Sequence, residues 1–126
     1  MRVYVAGPLF GSGRSTANLH NALVVAEALR ALGHMPFIPH LFTTWDQIFP
    51  HNDEAFWLDL DHAYLKVCEA CVVIPGVSPG TRKEEVWSIE LGLPVCHLTQ
   101  TYEKVCEPLE DELKQFFEKL PWWGKK

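Results

Sequence analysis

Short apolar runs alternate along this chain with longer stretches of helical period. "RVYVAG" (2–7) is a β-rich run ended by Gly-Pro. After a glycine- and serine-rich loop, "FGSGRS" (10–15), the residues Leu19, Ala22, Leu23, Ala26 and Leu29 step by three and four. That spacing predicts an amphipathic helix over 16–32, closed by Gly33. "MPFIP" (35–39) reads as a second, proline-flanked strand, and "HLFTTWDQIFPHND" (40–53) as an aromatic-rich excursion with no clear period. A second helix is predicted over 54–68, a buried strand over 70–76, a third helix over 81–92 and a fourth strand over 93–98. A final helix over 107–120 precedes the tail "PWWGKK". Strands alternating with helices predict a Rossmann-like (flavodoxin-like) three-layer α/β sandwich around a parallel sheet of four or five strands. In such sheets ligands bind beyond the carboxyl ends of the strands, which here are Gly7–Phe10, Pro39–His40 and Pro75–Gly80.

A length of 126 residues predicts one domain over 1–126, able to bury about two-thirds of the surface of its unfolded chain. Hydrophobic residues make up 48% and charged residues 21%, which excludes a disordered chain. Net charge is −5 and no stripe of Lys and Arg occurs, so a nucleic-acid partner has no electrostatic support. The apolar runs are too short to span a bilayer. "MRVYVAGP" lacks a signal-peptide core, and the expected location is cytoplasmic, with no membrane partner.

Cysteines stand at 68, 71, 96 and 106, and "CEAC" matches C-x-x-C. A redox pair of that kind sits where a strand hands over to a helix, whose N-terminus stabilises a thiolate. Here the order is reversed, with a helix ending near Cys68 and a strand starting near Ala70. Zinc would want a second close pair. Buried, reduced cysteines are expected, and His34, His40, His51 and His62 are scattered without ligand spacing.

Three stretches carry candidate chemistry. "PLFGSGRS" (8–15) nearly fits a phosphate-binding loop, but Pro8 replaces its first glycine and Arg14 its lysine, which argues against a nucleoside-triphosphate enzyme. A loop that lets backbone approach a sugar or single phosphate, with Arg14 assisting, is the alternative to a plain connection. In the second helix Trp57, Asp61, Tyr64, Leu65 and Cys68 form the inward stripe, and Asp59 falls on the wetter face. An inward carboxylate costs free energy unless it is bonded or functional. In "GTRKEEV" both Glu84 and Glu85 are expected in the first helical turn, and pattern does not choose between them.

Taken in series, "VYVAGPL", "WLDLDHAYLKVCEACVVIPG" and "SPGTRKEEVWSIELGLPV" resemble the nucleoside 2-deoxyribosyltransferase superfamily, over about residues 2–98. That superfamily includes deoxyribosyltransferases and N-glycosidases of nucleoside 5′-monophosphates. The resemblance implies cleavage of an N-glycosidic bond through a glycosyl intermediate on a glutamate, by hydrolysis or by transfer to another base, with hydrolysis slightly favoured. Counted from Gly80 and Gly92, the register assigns that glutamate to Glu84, to be kept ionised by its helix terminus. It assigns the aspartate that serves the leaving base to Asp61, and the tyrosine near the nucleophile to Tyr4. Ser78 would hold a 5′-phosphate, beside Gly7, Pro8, Arg14 and Gly80 as substrate-binding positions. No metal or organic cofactor is required, and a homodimer or larger homo-oligomer is implied. Glu69 and Ser88 depart from the Asp and Ala common in the family. Phe42, Trp45 and Phe49 could stack a base or serve as core or dimer contacts. Phe116, Phe117, Trp122 and Trp123 fit an interface or a cover for the sheet. The alternative from another class is a non-catalytic nucleotide-binding module on the same fold.

Overall fold

The apolar runs meet in one parallel sheet. In the computed structural model, which describes residues 1–8, 15–50, 53–76 and 78–121, the strands are β1 (Arg2–Ala6), β2 (Met35–Phe37), β3 (Ala70–Val73) and β4 (Val95–His97). They pair in the order β2-β1-β3-β4, all parallel, with Tyr4 between Phe37 and Cys71 and Val72 opposite Cys96. Side chains alternate across each strand, so Val3, Val5, Ala70 and Val72 share one face and Tyr4, Ala6, Cys71 and Val73 the other. Helices α1 (Ser15–Ala31) and α5 (Glu107–Glu118) cover the first face, with Leu29, Leu109 and Phe117 fully enclosed. Helices α3 (Glu54–Leu65) and α4 (Pro79–Glu90) cover the second, through Leu65 and Trp87. The three layers are those the sequence predicts, and no helix among the described residues is long and apolar enough to cross a membrane.

Several boundaries and faces differ from expectation. Residues 40–53 hold structure: a tight helical turn, Pro39–Leu41, leads into α2 (Phe42–Ile48). Because α2 buries no residue, it carries no apolar period to detect. Ring contacts hold it instead, with Phe42 and Trp45 against Trp57 at 5.9 and 5.0 Å. Helix α3 ends at Leu65, and α4 begins at Pro79, two residues before the predicted start. Tyr64, expected on the inward stripe, is exposed and stacks on Phe37 at 4.8 Å. Phe117 is core, stacked on His34 at 4.0 Å, and Phe116 packs against it, so this pair covers the sheet. Arg14, Trp122 and Trp123 lie outside the described residues. Glu69 accepts the Arg2 backbone N–H at 3.1 Å, at the amino edge of the sheet, remote from the carboxyl edge.

At the carboxyl edge the chain beyond β1 closes on the chain beyond β3. The Ile74 N–H donates to the Ala6 carbonyl at 2.8 Å, prolonging the pairing. A Cβ at Gly7 would meet Ile74 Cβ at 3.0 Å, and one at Gly76 would meet Pro8 Cγ at 2.3 Å, with Gly76 already at φ +142°. Gly76→Ala is therefore expected to destabilise the protein by about 1–3 kcal/mol, read from urea unfolding midpoints. A change within error would mean that the edge relaxes freely. At the opposite edge burial lowers the His34 imidazole to about 4, and the Met1 ammonium 3.4 Å from Nδ1 adds to the shift. A folded value below the ordinary 6.5 means stability present above 6.5 and lost as pH falls towards 4. Urea midpoints between pH 7 and 4 should fall less steeply in His34→Gln than in wild type; parallel curves would contradict this.

Candidate active site

The winding of the sheet reverses at β1. From β1 the chain crosses to β2 on one side, and β3 then adds on the other, so the carboxyl ends of β1 and β3 form the switch point where such sheets bind ligands. Helix α4 starts there. Ser78 caps it, accepting the Thr81 N–H on its hydroxyl at 3.4 Å. The inner face of α4 is mostly polar: beside Trp87, the residues Thr81, Glu84 and Ser88 turn inward at 3%, 7% and 0% exposure, whereas Val86 and Ile89 stay exposed. Positions i, i+3 and i+7 share one face, so these three form a single polar stripe against the sheet. Ser88 Oγ donates to the Glu84 carbonyl at 2.8 Å and fixes that turn.

Three elements bring acids and a hydroxyl together in front of this stripe. Tyr4 comes from β1, fully buried; Asp61 comes from α3; Glu84 comes from α4. The Tyr4 hydroxyl faces the Glu84 carboxyl without closing a hydrogen bond of good geometry, and Tyr4 Oη, Glu84 Oε2, Asp61 Oδ1 and Thr81 Oγ1 all lack a partner among the described residues. A buried polar atom left unpaired costs about 1–3 kcal/mol, so such groups gathered at one sheet edge single it out as the candidate site.

The electrostatics follow from burial. Burial pushes the Glu84 carboxyl up to about 8; the facing Tyr4 hydroxyl works against that rise and the Asp61 charge adds to it. Asp61 is pushed up to about 7 by burial. Burial, then the neighbouring Glu84 and Asp61 charges, push the Tyr4 hydroxyl far up, so it remains a donor. The expectation that a helix terminus keeps Glu84 ionised is corrected here. With α4 starting at Pro79, Glu84 is its sixth residue and no acid lies in the first turn. The macrodipole fades within one turn, and desolvation wins. Both carboxyls therefore change protonation near neutrality, and the Asp61 charge raises Glu84 further. Such a pair can supply a nucleophilic carboxylate and a proton donor together.

Geometry separates the two glutamates. Glu85 Oε2 pairs with His97 Nε2 at 3.1 Å on the surface, whereas Glu84 is enclosed with Tyr4 and Asp61. Comparison with known proteins adds the fold. No protein-family model matches the chain, and no curated protein matches it. Among solved structures, the 2-deoxyribosyltransferase of the psychrotolerant bacterium Bacillus psychrosaccharolyticus aligns with a TM-score of 0.58 and 24% identity. The alignment covers 89% of this chain and 82% of that one. The likeness is one of fold. That enzyme is described as a biocatalyst for the synthesis of antiviral and antitumoral nucleosides.

The other predicted positions divide. Gly7 and Pro8 form the floor of the edge through their contacts with Ile74 and Gly76. Ser78 Oγ is engaged as the helix cap, and a Cβ at Gly80 would meet nothing nearer than that oxygen at 3.8 Å. Phe42 and Trp45 join a chain of rings that reaches Tyr4 through Phe37, while Phe49 is exposed. Sequence reasoning missed His40 and Thr81. His40 is buried beside the Gly7 and Pro8 carbonyls, its ring nitrogens unpartnered among the described residues, and burial lowers its pKa. Its place just after β2, on a carboxyl edge, was the available signal. Thr81 was legible only as the residue one turn before Glu84. Cys68, Cys71 and Cys96 are buried and free, and burial raises the thiols of the CxxC pair to about 11 and about 12, so no thiolate forms near neutrality.

A carboxyl at about 8 when folded and 4.5 when unfolded stabilises the fold at low pH, and this contribution is lost as pH rises from 4.5 through 8. Glu84→Gln carries no such loss. Its melting temperature relative to wild type should rise steadily between pH 5 and pH 8; an offset that is constant across that range would refute the buried-carboxyl assignment.

Proposed function

We propose that the protein belongs to the nucleoside 2-deoxyribosyltransferase superfamily and cleaves the bond between base and sugar in a nucleoside or (deoxy)nucleoside 5′-monophosphate. One observation carries the reading: buried Glu84 and half-buried Asp61, both carboxyls pushed up by burial and Glu84 further by the Asp61 charge, with the Tyr4 hydroxyl facing Glu84 where β1 and β3 pair. The resemblance of the fold to a 2-deoxyribosyltransferase supports it.

In the first step the Glu84 carboxylate forms a bond to the anomeric carbon while the bond to the base breaks. Asp61 delivers its proton to the departing base. The reactive form has Glu84 ionised and Asp61 protonated, one of the two ways in which these carboxyls can hold a single proton between about pH 7 and 8. The Tyr4 hydroxyl, always protonated, steadies Glu84 as charge leaves and returns. In the second step water or a second base attacks the anomeric carbon, Glu84 leaves, and Asp61 takes up the proton. The N-terminus of α4, at Ser78 and Gly80, would receive a 5′-phosphate.

Base release, followed by chromatography over nucleosides and their 5′-monophosphates with and without an acceptor base, tests this reading. Release should be abolished in Glu84→Ala and persist in Glu85→Ala, and Asp61→Asn should lower it by about 10²- to 10⁴-fold. For wild type kcat/KM should be bell-shaped with its optimum between about 7 and about 8, the values of the pair. Absence of release from every substrate, by a protein that still binds nucleotides, would leave the non-catalytic binding module in its place.

A further inference from the structure

The geometry points to Thr81 as a substrate-binding residue whose hydroxyl reads an oxygen on the sugar side of the substrate rather than the base. This rests on the reading of Glu84 as the group that meets the anomeric carbon. Thr81 is 3% exposed, yet its Oγ1 has no hydrogen-bond partner among the described residues. Its own backbone N–H is engaged by Ser78 Oγ, so the orphan is the side chain alone. A threonine on a helix ordinarily satisfies its hydroxyl on a carbonyl of the preceding turn, as Ser88 does on the Glu84 carbonyl at 2.8 Å in the same stripe. Thr81 does not.

Position identifies the partner. Thr81 and Glu84 are three positions apart, which sets their side chains on the same face about 4.5 Å apart along the axis. A carboxylate that displaces the base must approach the anomeric carbon from the side away from the base. The helix face bearing it therefore lies along the sugar, and the residue one turn away meets a hydroxyl or phosphate oxygen of that sugar. Valine would fill the same volume without a buried unpaired hydroxyl, so the retained threonine weakens the empty fold and is recovered only when a ligand supplies the missing bond.

The test uses calorimetric binding by Glu84→Gln protein, in which ligands stay intact, with Thr81 kept or changed to Val or Ser. Probes are the four common 2′-deoxynucleoside 5′-monophosphates, their free nucleosides and their 3′-deoxy analogues. Thr81→Val should weaken binding of the complete monophosphates about tenfold, whichever the base. That loss should vanish for the analogue lacking one particular sugar-side oxygen, Ser should restore binding, and the melting temperature of Thr81→Val should not fall. An equal loss across all analogues, a loss that follows the base, or none at all would overturn the assignment. Base release by wild type, run in parallel, separates the two readings. Coupling without release removes the catalytic function and keeps Thr81 as a ligand contact; release without coupling does the reverse.

Discussion

Side-by-side pairing of β1 with β3 determines where each group of the site stands. Val3 to Ala6 lie in register with Ala70 to Val73, and the Ile74 N–H carries the ladder one step further to the Ala6 carbonyl. This register turns Tyr4 and Cys71 to the same face, beneath α3 and α4. It also brings Gly7–Pro8 against Ile74–Gly76, so close that Gly76 has no room for a side chain. Helix α4 begins just beyond, at Pro79 after its Ser78 cap, and the distance from that cap to Glu84 is fixed by helix geometry. A slip of one residue between the two strands would turn Tyr4 to the opposite face and dissolve the site.

Two opposing tendencies meet where α4 packs on the sheet. Stability would favour an apolar inner face, and α4 has the residues to make one in Val86 and Ile89. Instead it exposes these and buries Thr81, Glu84 and Ser88. Desolvation of Glu84 and Asp61 outweighs the pull of the helix dipole, which acts over the first turn only. The result is a carboxyl pair that changes protonation near neutrality in place of one that is permanently ionised. Readiness to exchange a proton, and not charge held by a helix end, is the chemical property this arrangement offers.

The layers and strand order follow rules that act locally, which is why the sequence reveals them. Val3 and Val5 alternate with Tyr4 and Ala6, and α1 repeats its apolar residues at helical spacing. Asp61 was legible because its neighbours Leu65 and Cys68 are apolar and buried. Helix α2 was not, since it is held by Phe42 and Trp45 packing on Trp57 and buries nothing itself. The choice between Glu84 and Glu85 was illegible from pattern for a related reason: with Trp87 inward but Val86 and Ile89 outward, α4 defeats a rule that assigns apolar residues to one inner face. His40 and Thr81 were hidden because a lone buried polar residue has a signature only in three dimensions, as an atom with no partner.

The most direct measurement is mass spectrometry of the protein quenched during turnover of a slow substrate, with fragmentation of the peptide that follows Lys83. A sugar adduct on Glu84, absent from Glu85 and from the Glu84→Gln protein, is the predicted result. Turnover with no adduct, or with the adduct on Glu85, would contradict the assignment of the enclosed glutamate as the nucleophile.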